Sequence, residues 1–472
     1  MTLEAREKTP ALAKISSDKI FCYVSMALFM FLPIAEIITE FLIKARIKSL
    51  RFLYPSYFQA YIVMIFGGIL TLLVVINLIS RAISGKFKLY VADIFYFTLL
   101  IFMLLSMFFS MNFGVFAGGS HYNSPTLYYS ERPEMFLCYY GLFFAGSMIQ
   151  DSKLRKKLLY AYVIIAIIEG VISLFQSFNI EILYCLFRVN RMPYTAYGTL
   201  QNTNFYGTLS CVLTAAASGL FIFSSKLTRS KFIKWGSYAV SILMFYTLLA
   251  SKARLAWIGM AAMLFMYIVS FIVMRKGAID QDSLRQIVID FMILIIGYIA
   301  VIIIAIIFTP YITSRIEVTA EEFQEKIGED GFGNGRGRIW RAALSSVPRH
   351  WVTGIGLDNL AQAFREMPGW QPGDYVQDKG HSEYIHTLAT QGIFAIVNYI
   401  ALLIYAAVSA VKMIFNEKDD VKRSLTWIFL GIFAAYVAQA ILSSSIMNVA
   451  PYFWIMIGLL TPRTKPVSFK KS

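Results

Sequence analysis

The run IVIDFMILIIGYIAVIIIAIIF at residues 287–308 carries one charge, and it gives way at once to TPYITSRIEVTAEEFQEKIGEDGFGNGRGRIW at residues 309–340. The first stretch is long enough to cross a bilayer, which takes ~20 apolar residues in a helix. The second opens a polar island that extends from about Thr309 to Leu388. Backbone left unsatisfied in lipid costs several kcal/mol per group, so an island of this size lies in water or caps a cavity. A bundle of spans carrying one large polar cap is therefore the expected architecture.

Working outward, the 472 residues are 58% hydrophobic and 15% charged, with a mean hydropathy of +0.62; soluble domains carry about a quarter charged residues. Apolar runs begin at about Ile20, Tyr57, Val91, Glu134, Lys157, Thr203, Trp235, Ala256, Ile287, Ala389, Ser424 and Asn448. The predicted fold class is an all-α polytopic membrane protein of about 12 transmembrane helices. A large extracytoplasmic loop of short helices is expected between spans 9 and 10. The first run lacks a small-residue cleavage site and reads as a retained span. Cys22, Cys138 and Cys211 fall in spans and Cys185 stands alone, so neither a disulfide framework nor zinc-type spacing is present.

The net charge of +15 is first a topology signal in such a chain, not a sign of nucleic acid. With a cytoplasmic N-terminus, 26 of the 43 Lys and Arg fall inside and 17 outside, eight of these in the polar island. Long loops escape the charge rule, so both termini are expected in the cytoplasm and the island outside. Lys44, Arg46, Lys48 and Arg51 run against this bias. Either they form an interfacial helix on anionic headgroups, or the first span is misplaced.

Within the island, Thr319 to Lys326 is predicted as a short helix with Glu321 and Glu322 in its first turn, ended by the glycine run. Helical spacing returns from Arg338 to Val347 and is expected to stop at Pro348. Gly354 and Gly356 mark a turn, 357–367 another short helix, and Pro372-Gly373 a second turn; His381 then opens a helix predicted to run into the next span. On the helix from Arg338 to Val347, Arg338, Arg341 and Ser345 share one face, and Trp340, Ala343, Leu344 and Val347 the other. The preceding glycines allow backbone N–H groups to converge in a nest, and a helix start adds partial positive charge. With Arg336, Arg338 and Arg341 this suits a phosphate or diphosphate; the alternative is a solvated basic loop on a glycine linker. No strand precedes the glycines, so a dinucleotide fold is not indicated.

Arg254, in Ser251-Lys252-Ala253-Arg254, is expected at a tight connection between spans. At mid-bilayer an arginine costs about 2.5 to 3.5 kcal/mol, so it belongs at the boundary. There it either snorkels to lipid phosphate or faces a cavity holding a ligand's phosphate. Arg188 and Arg191, in another outer loop, carry the same two readings. His381 can take a proton near neutral pH and could deprotonate a sugar hydroxyl, with Glu383 orienting it or sharing the work. The alternatives are a solvated or capping histidine, or a metal site made with Asp374, Asp378 and Glu383. His386 lies off the face of His381, so no paired metal motif exists. Glu36 and Asp290 lie near span boundaries; Glu169 is deeper and leaves a proton-coupled transporter open.

The order Gly198-Thr199-Leu200-Gln201-Asn202-Thr203-Asn204, Ser251-Lys252-Ala253-Arg254, Gly337-Arg338-Ile339-Trp340, Pro348, Gly354-Ile355-Gly356, His381-Ser382-Glu383-Tyr384 and Gln391-Gly392-Ile393 resembles the O-antigen ligase and polymerase superfamily of bacterial surface glycan assembly. The likeness is strong from about Gln201 to Tyr405 and topological elsewhere. It implies a GT-C-like, metal-independent, inverting glycosyltransferase without cofactor, with an undecaprenyl-diphosphate-linked glycan as donor and a glycan or lipid-linked acceptor. Arg254 and Arg338 would hold the diphosphate, and His381 would act on the acceptor hydroxyl or position it. Arg336 and Arg341 join them from the helix-face argument above. The common family form has Asn where this chain has Ser382. The implied division is N-terminal transmembrane helices at 1–200, helices of a ligase-like core at 201–308, an extracytoplasmic catalytic loop at 309–388 and C-terminal helices at 389–472, all in the bacterial cytoplasmic membrane. A flippase or exporter of polysaccharide lipid is the competing function.

Overall fold

Apolar runs in lipid must satisfy their backbone internally, and helices do so. The computed structural model describes residues 17–44, 55–85, 87–109, 133–182, 193–200, 202–276, 281–308, 332–357, 359–371, 374, 376–463 and 466–467. No strand occurs among the described residues. In chain order the first helices are α1 (Ser17–Lys44), α2 (Pro55–Ile83), α3 (Val91–Phe109), α4 (Pro133–Met148), α5 (Ser152–Ser177) and α6 (Thr203–Ile222). A single turn, α7 (Ser224–Leu227), leads to α8 (Lys231–Ala250), α9 (Arg254–Lys276) and α10 (Gln281–Phe308). The polar island supplies α11 (Phe332–His350), α12 (Ala361–Arg365) and α13 (Glu383–Gln391), before α14 (Ile393–Asn416), α15 (Asp420–Gln439) and α16 (Ala450–Leu460).

Ten of these helices are long and apolar enough to cross a membrane, which makes this a multi-pass membrane protein. The remaining two expected spans are α4, with 16 residues, and α16, with 11. At 1.5 Å per residue they reach only ~24 and ~16 Å, short of the ~30 Å hydrocarbon layer. Both are buried almost throughout and pack on each other, where a Cβ on Gly146 or Gly458 would overlap the facing backbone. Short helices at membrane depth are tolerated because protein, not lipid, surrounds them.

From Phe205 to Ile222 every residue of α6 is buried. Its small side chains let neighbours approach closely: Gly207 faces Ala253, and Gly219 faces Tyr267 and Ile428. The end of the bundle away from the polar island is tied by ion pairs, Lys234 to Asp290 at 2.6 Å, Lys226 to Asp420 at 3.0 Å, and Arg463 to Asp93. Fully buried Arg155 donates to Ile149 O and Leu459 O, both at 3.0 Å, at the closing turns of α4 and α16, where a cation complements the helix dipole.

Three expectations for the island change. The helix expected over 338–347 runs from Phe332 to His350 and passes through Pro348, which lies in its last turn. The short helix expected over 357–367 contracts to Ala361–Arg365. The helix after His381 does not run into the next span: Gly392, at φ +84°, caps α13 and separates it from α14. The expected helix at 319–326 and the basic segment 45–51 lie outside the described residues.

Candidate functional site

Ser382 starts α13 in extended conformation, its hydroxyl accepting from Ile385 N at 3.5 Å. This is the N-cap role that Ser and Asn both favour, so serine in place of asparagine conserves the helix start. His381, just before the cap, has φ +45°, a region that non-glycine residues occupy at a cost. Its N–H donates to Ser444 Oγ at 2.9 Å. Glu383 N donates to Ala440 O at 3.0 Å and Tyr384 Oη to Val437 O at 2.9 Å, so the end of α15 and the buried turn Ser443-Ser444-Ser445 set the histidine's position. Burial, then the positive charge of Arg336, hold the His381 imidazole down at about 4, with Asp378 opposing. The ring is therefore neutral at pH 7 and able to accept a proton.

Arg336 is brought there by the glycine run. Gly333 and Gly335 adopt φ +61° and +85°, the backbone from which an N–H nest is made, and Arg336 Nη1 donates to Gly333 O at 2.9 Å. Arg338 and Arg341 are exposed, as expected for the cationic face. The packing face is centred differently from expectation. Ile339, Ala342 and Ala343 are buried against Ile355, Leu360, Phe364 and Ala389, whereas Leu344 is 46% exposed. Trp340 Nε1 donates to Gly380 O at 3.1 Å, pinning α11 to the residue before His381.

The linking segment docks through its backbone. Ile355 N and Gly356 N donate to Ala389 O and Thr390 O at 2.9 and 3.0 Å, and Ile393 N to Trp351 O at 2.7 Å. The first two of these bonds satisfy carbonyls that the end of α13 would otherwise leave open.

Arg254 is the first residue of α9 and is half-buried. A cation at a helix N-terminus opposes the dipole, so a bound anion would relieve the site. Its turn is fixed by Lys252, at φ +60° with Nζ on Thr195 Oγ1 at 2.6 Å, and by Ala196 N on Ala250 O at 3.1 Å. Ala253 packs on Gly207. One residue on, Thr208 Oγ1 meets Ser443 Oγ at 3.1 Å and Gln439 Oε1 at 2.9 Å. Arg254 thus connects, through one turn of α6 and the serine turn, to His381.

Glu383 is buried, its two oxygens taking Tyr399 Oη at 2.6 Å and Tyr436 Oη at 3.0 Å. Its carboxylate thereby clamps α14 to α15. Among the described residues no three His, Cys, Asp or Glu come together as a metal cluster, and Asp374 accepts from Gln371 N. Glu169, the deep carboxylate, is a fastener: Thr199 Oγ1 and N donate to it at 2.5 and 3.0 Å. Asp290 is paired with Lys234. Arg188 and Arg191 lie outside the described residues.

Sequence reasoning missed Ser443, Ser444, Tyr399 and Tyr436. A run of three serines between two apolar segments was the one legible signal; the tyrosines read as ordinary span residues.

Residues 239–400, about a third of the chain, match the family model described as O-antigen ligase. The match bears out the resemblance seen in the motifs and points to a membrane function of the ligase or polymerase type. It covers Arg254, Arg336, Arg338, Arg341, His381 and Glu383 but stops short of the serine turn. No curated protein matches the chain.

Proposed function

We propose that the protein is a metal-independent, inverting glycosyltransferase that moves a glycan from undecaprenyl diphosphate to an acceptor glycan on the outer face of the cytoplasmic membrane. The observation that carries this reading is the meeting of a neutral, strained histidine with a cationic, glycine-led helix: Arg336 lies close enough to His381 to lower its proton affinity. In the reaction the His381 ring takes the proton of an acceptor hydroxyl, and the freed oxygen bonds the anomeric carbon from the face opposite the diphosphate. The bond from that carbon to the diphosphate oxygen breaks, and its electron pair leaves with the lipid diphosphate. Arg254, Arg336 and Arg338 stabilise the departing charge without reorganising; Arg341 extends the same face.

A histidine held at about 4 is a weak base in the empty protein. Donor diphosphate beside Arg336 would cancel the charge that depresses it, so the base strengthens when the donor is in place. General-base help of this kind contributes about 10²- to 10⁴-fold.

The test incubates purified protein with undecaprenyl-diphosphate oligosaccharide and candidate acceptors, with Arg254→Ala, Arg338→Ala and His381→Ala beside the wild type. Lengthened or acceptor-linked glycan from the wild type alone is expected. Translocation of the lipid with no new glycosidic bond would overturn the reading in favour of an exporter.

A further inference from the structure

Beneath the start of α13 a partly open cavity lies among α3, α4, α13, α14 and α16. Tyr140, Tyr399 and Trp454 give it an aromatic wall, with Trp454 5.3 Å from the Tyr140 ring and 5.9 Å from that of Tyr399. Glu383, His386, Gln391 and Asn398 supply its polar groups.

Two of these groups are unfinished. His386 is 5% exposed, yet its Nδ1 has no hydrogen-bond partner. Asn398 meets Thr98 Oγ1 at 2.9 Å through Oδ1, and its Nδ2 is buried with no partner. Whichever way that amide is turned, Thr98 satisfies one heteroatom and the other is left to the cavity that Asn398 lines. Buried donors and acceptors without partners cost about 1 to 3 kcal/mol each, so a ligand carrying hydroxyl groups would recover what the empty cavity forgoes.

Charge narrows the class. The cavity holds a carboxyl group and no arginine or lysine among its lining residues, so it is a poor place for a diphosphate. None of the arginines of α11 and α9 lines it. Flat aromatic walls with amide, imidazole and carboxyl groups at their edges fit the apolar faces and hydroxyl rim of a sugar ring.

We propose that this cavity is a saccharide subsite, receiving one neutral pyranose of the glycan while the diphosphate stays with the arginines. The assignment rests on the glycosyltransferase reading for its biological meaning, but binding at the cavity does not require turnover. His386 and Asn398 are its polar contacts, and Trp454 is part of its stacking wall.

The test uses the full chain in lipid nanodiscs and saturation-transfer NMR with methyl glycosides of glucose, galactose, N-acetylglucosamine and rhamnose. At least one glycoside should receive saturation on its ring protons. His386→Phe and Asn398→Leu should each weaken that binding about five- to tenfold, the loss of one hydrogen bond. Ala395→Phe, which fills the cavity without removing a polar group, should abolish it, and Arg338→Ala should leave it unchanged. Thermal unfolding of each variant verifies folding, and the filled variant keeps the test decisive if a polar variant unfolds. No glycoside binding to the wild type, or equal binding to wild type and Ala395→Phe, would overturn the subsite. Binding as described without any glycan transfer would leave the subsite standing and sink the transferase.

Discussion

At the scale of single residues, His381 is defined by three forces: a left-handed backbone, a backbone bond to Ser444, and a cation beside a half-buried ring. Because its proton affinity is held at about 4, against an ordinary 6.5, glycan transfer should be level through neutral pH. Measured as kcat/KM for the donor, which reports the protein before donor binds, it should fall only as the pH drops through about 4. A half-loss of kcat/KM near pH 6.5 would contradict this. Arg336→Ala removes one of the two depressing causes and leaves burial, so its acid limb should move up in pH; an unmoved limb would separate Arg336 from the histidine. His386, pushed down to about 3 by burial, Lys379 and His381, adds to the same linkage. Between about 4 and 6.5 the unfolded chain binds protons that the folded one refuses, so both histidines make stability rise with pH across that window. The neighbouring Ser382 gives a sharper contrast. Ser382→Asn should keep the thermal midpoint of the solubilised protein, and Ser382→Ala should cost about 1 kcal/mol; equal losses in both would remove capping as the explanation for serine here.

At the scale of elements, the polar island is held to the bundle by main-chain bonds more than by side chains. Gly354, at φ +68°, lies against Thr390 and Gln391, and Gly392, at φ +84°, lies against Val352. Any Cβ at either position overlaps backbone that cannot yield, and the left-handed conformation itself costs about 1 to 2 kcal/mol outside glycine. Gly354→Ala and Gly392→Ala should each loosen α11 and α12 from α13, seen as faster hydrogen exchange over 332–371 with α5 and α6 unchanged, and should reduce transfer at least about tenfold, since small misplacements of positioned groups carry that scale of loss. Unchanged exchange over that segment would show the docking to be redundant. The same elements mark what the sequence could yield. Gly354 was visible as a turn and the cationic face of α11 followed from its spacing, whereas the break at Gly392 was read through as continuous helix. The packing face of α11 did not follow, because the partners are the linking segment, α12 and the end of α13, which together take Ile339, Ala342 and Ala343 and leave Leu344 out. Nor did the serine turn, whose bond to His381 joins residues 63 positions apart. Periodicity sees a helix's own faces and is blind to contacts made across that much chain.

At the scale of the whole molecule, the twelve apolar runs read from the sequence appear as ten membrane-length helices and the short buried pair α4 and α16. Composition found all twelve because burial in protein and burial in lipid ask for the same residue types. Hydropathy alone could not distinguish them. The direction in which the bundle crosses the membrane rests on the basic residues of the short loops, and the proposed chemistry depends on it, since an acceptor glycan is met only outside. Ser345 is exposed on α11, and Ser84 is exposed just after α2, at the end of the bundle tied by Arg463 and Asp93. Cys22, Cys138 and Cys211 are buried, and with Cys185→Ser as the parent background labelling is limited. Ser345→Cys should react with a membrane-impermeant maleimide in intact cells whose outer barrier has been opened, and Ser84→Cys should react only after the cytoplasmic membrane is permeabilised. The reverse pattern would put the arginines and His381 on the cytoplasmic side, where the proposed acceptor is absent, and the transferase reading would fail with the orientation.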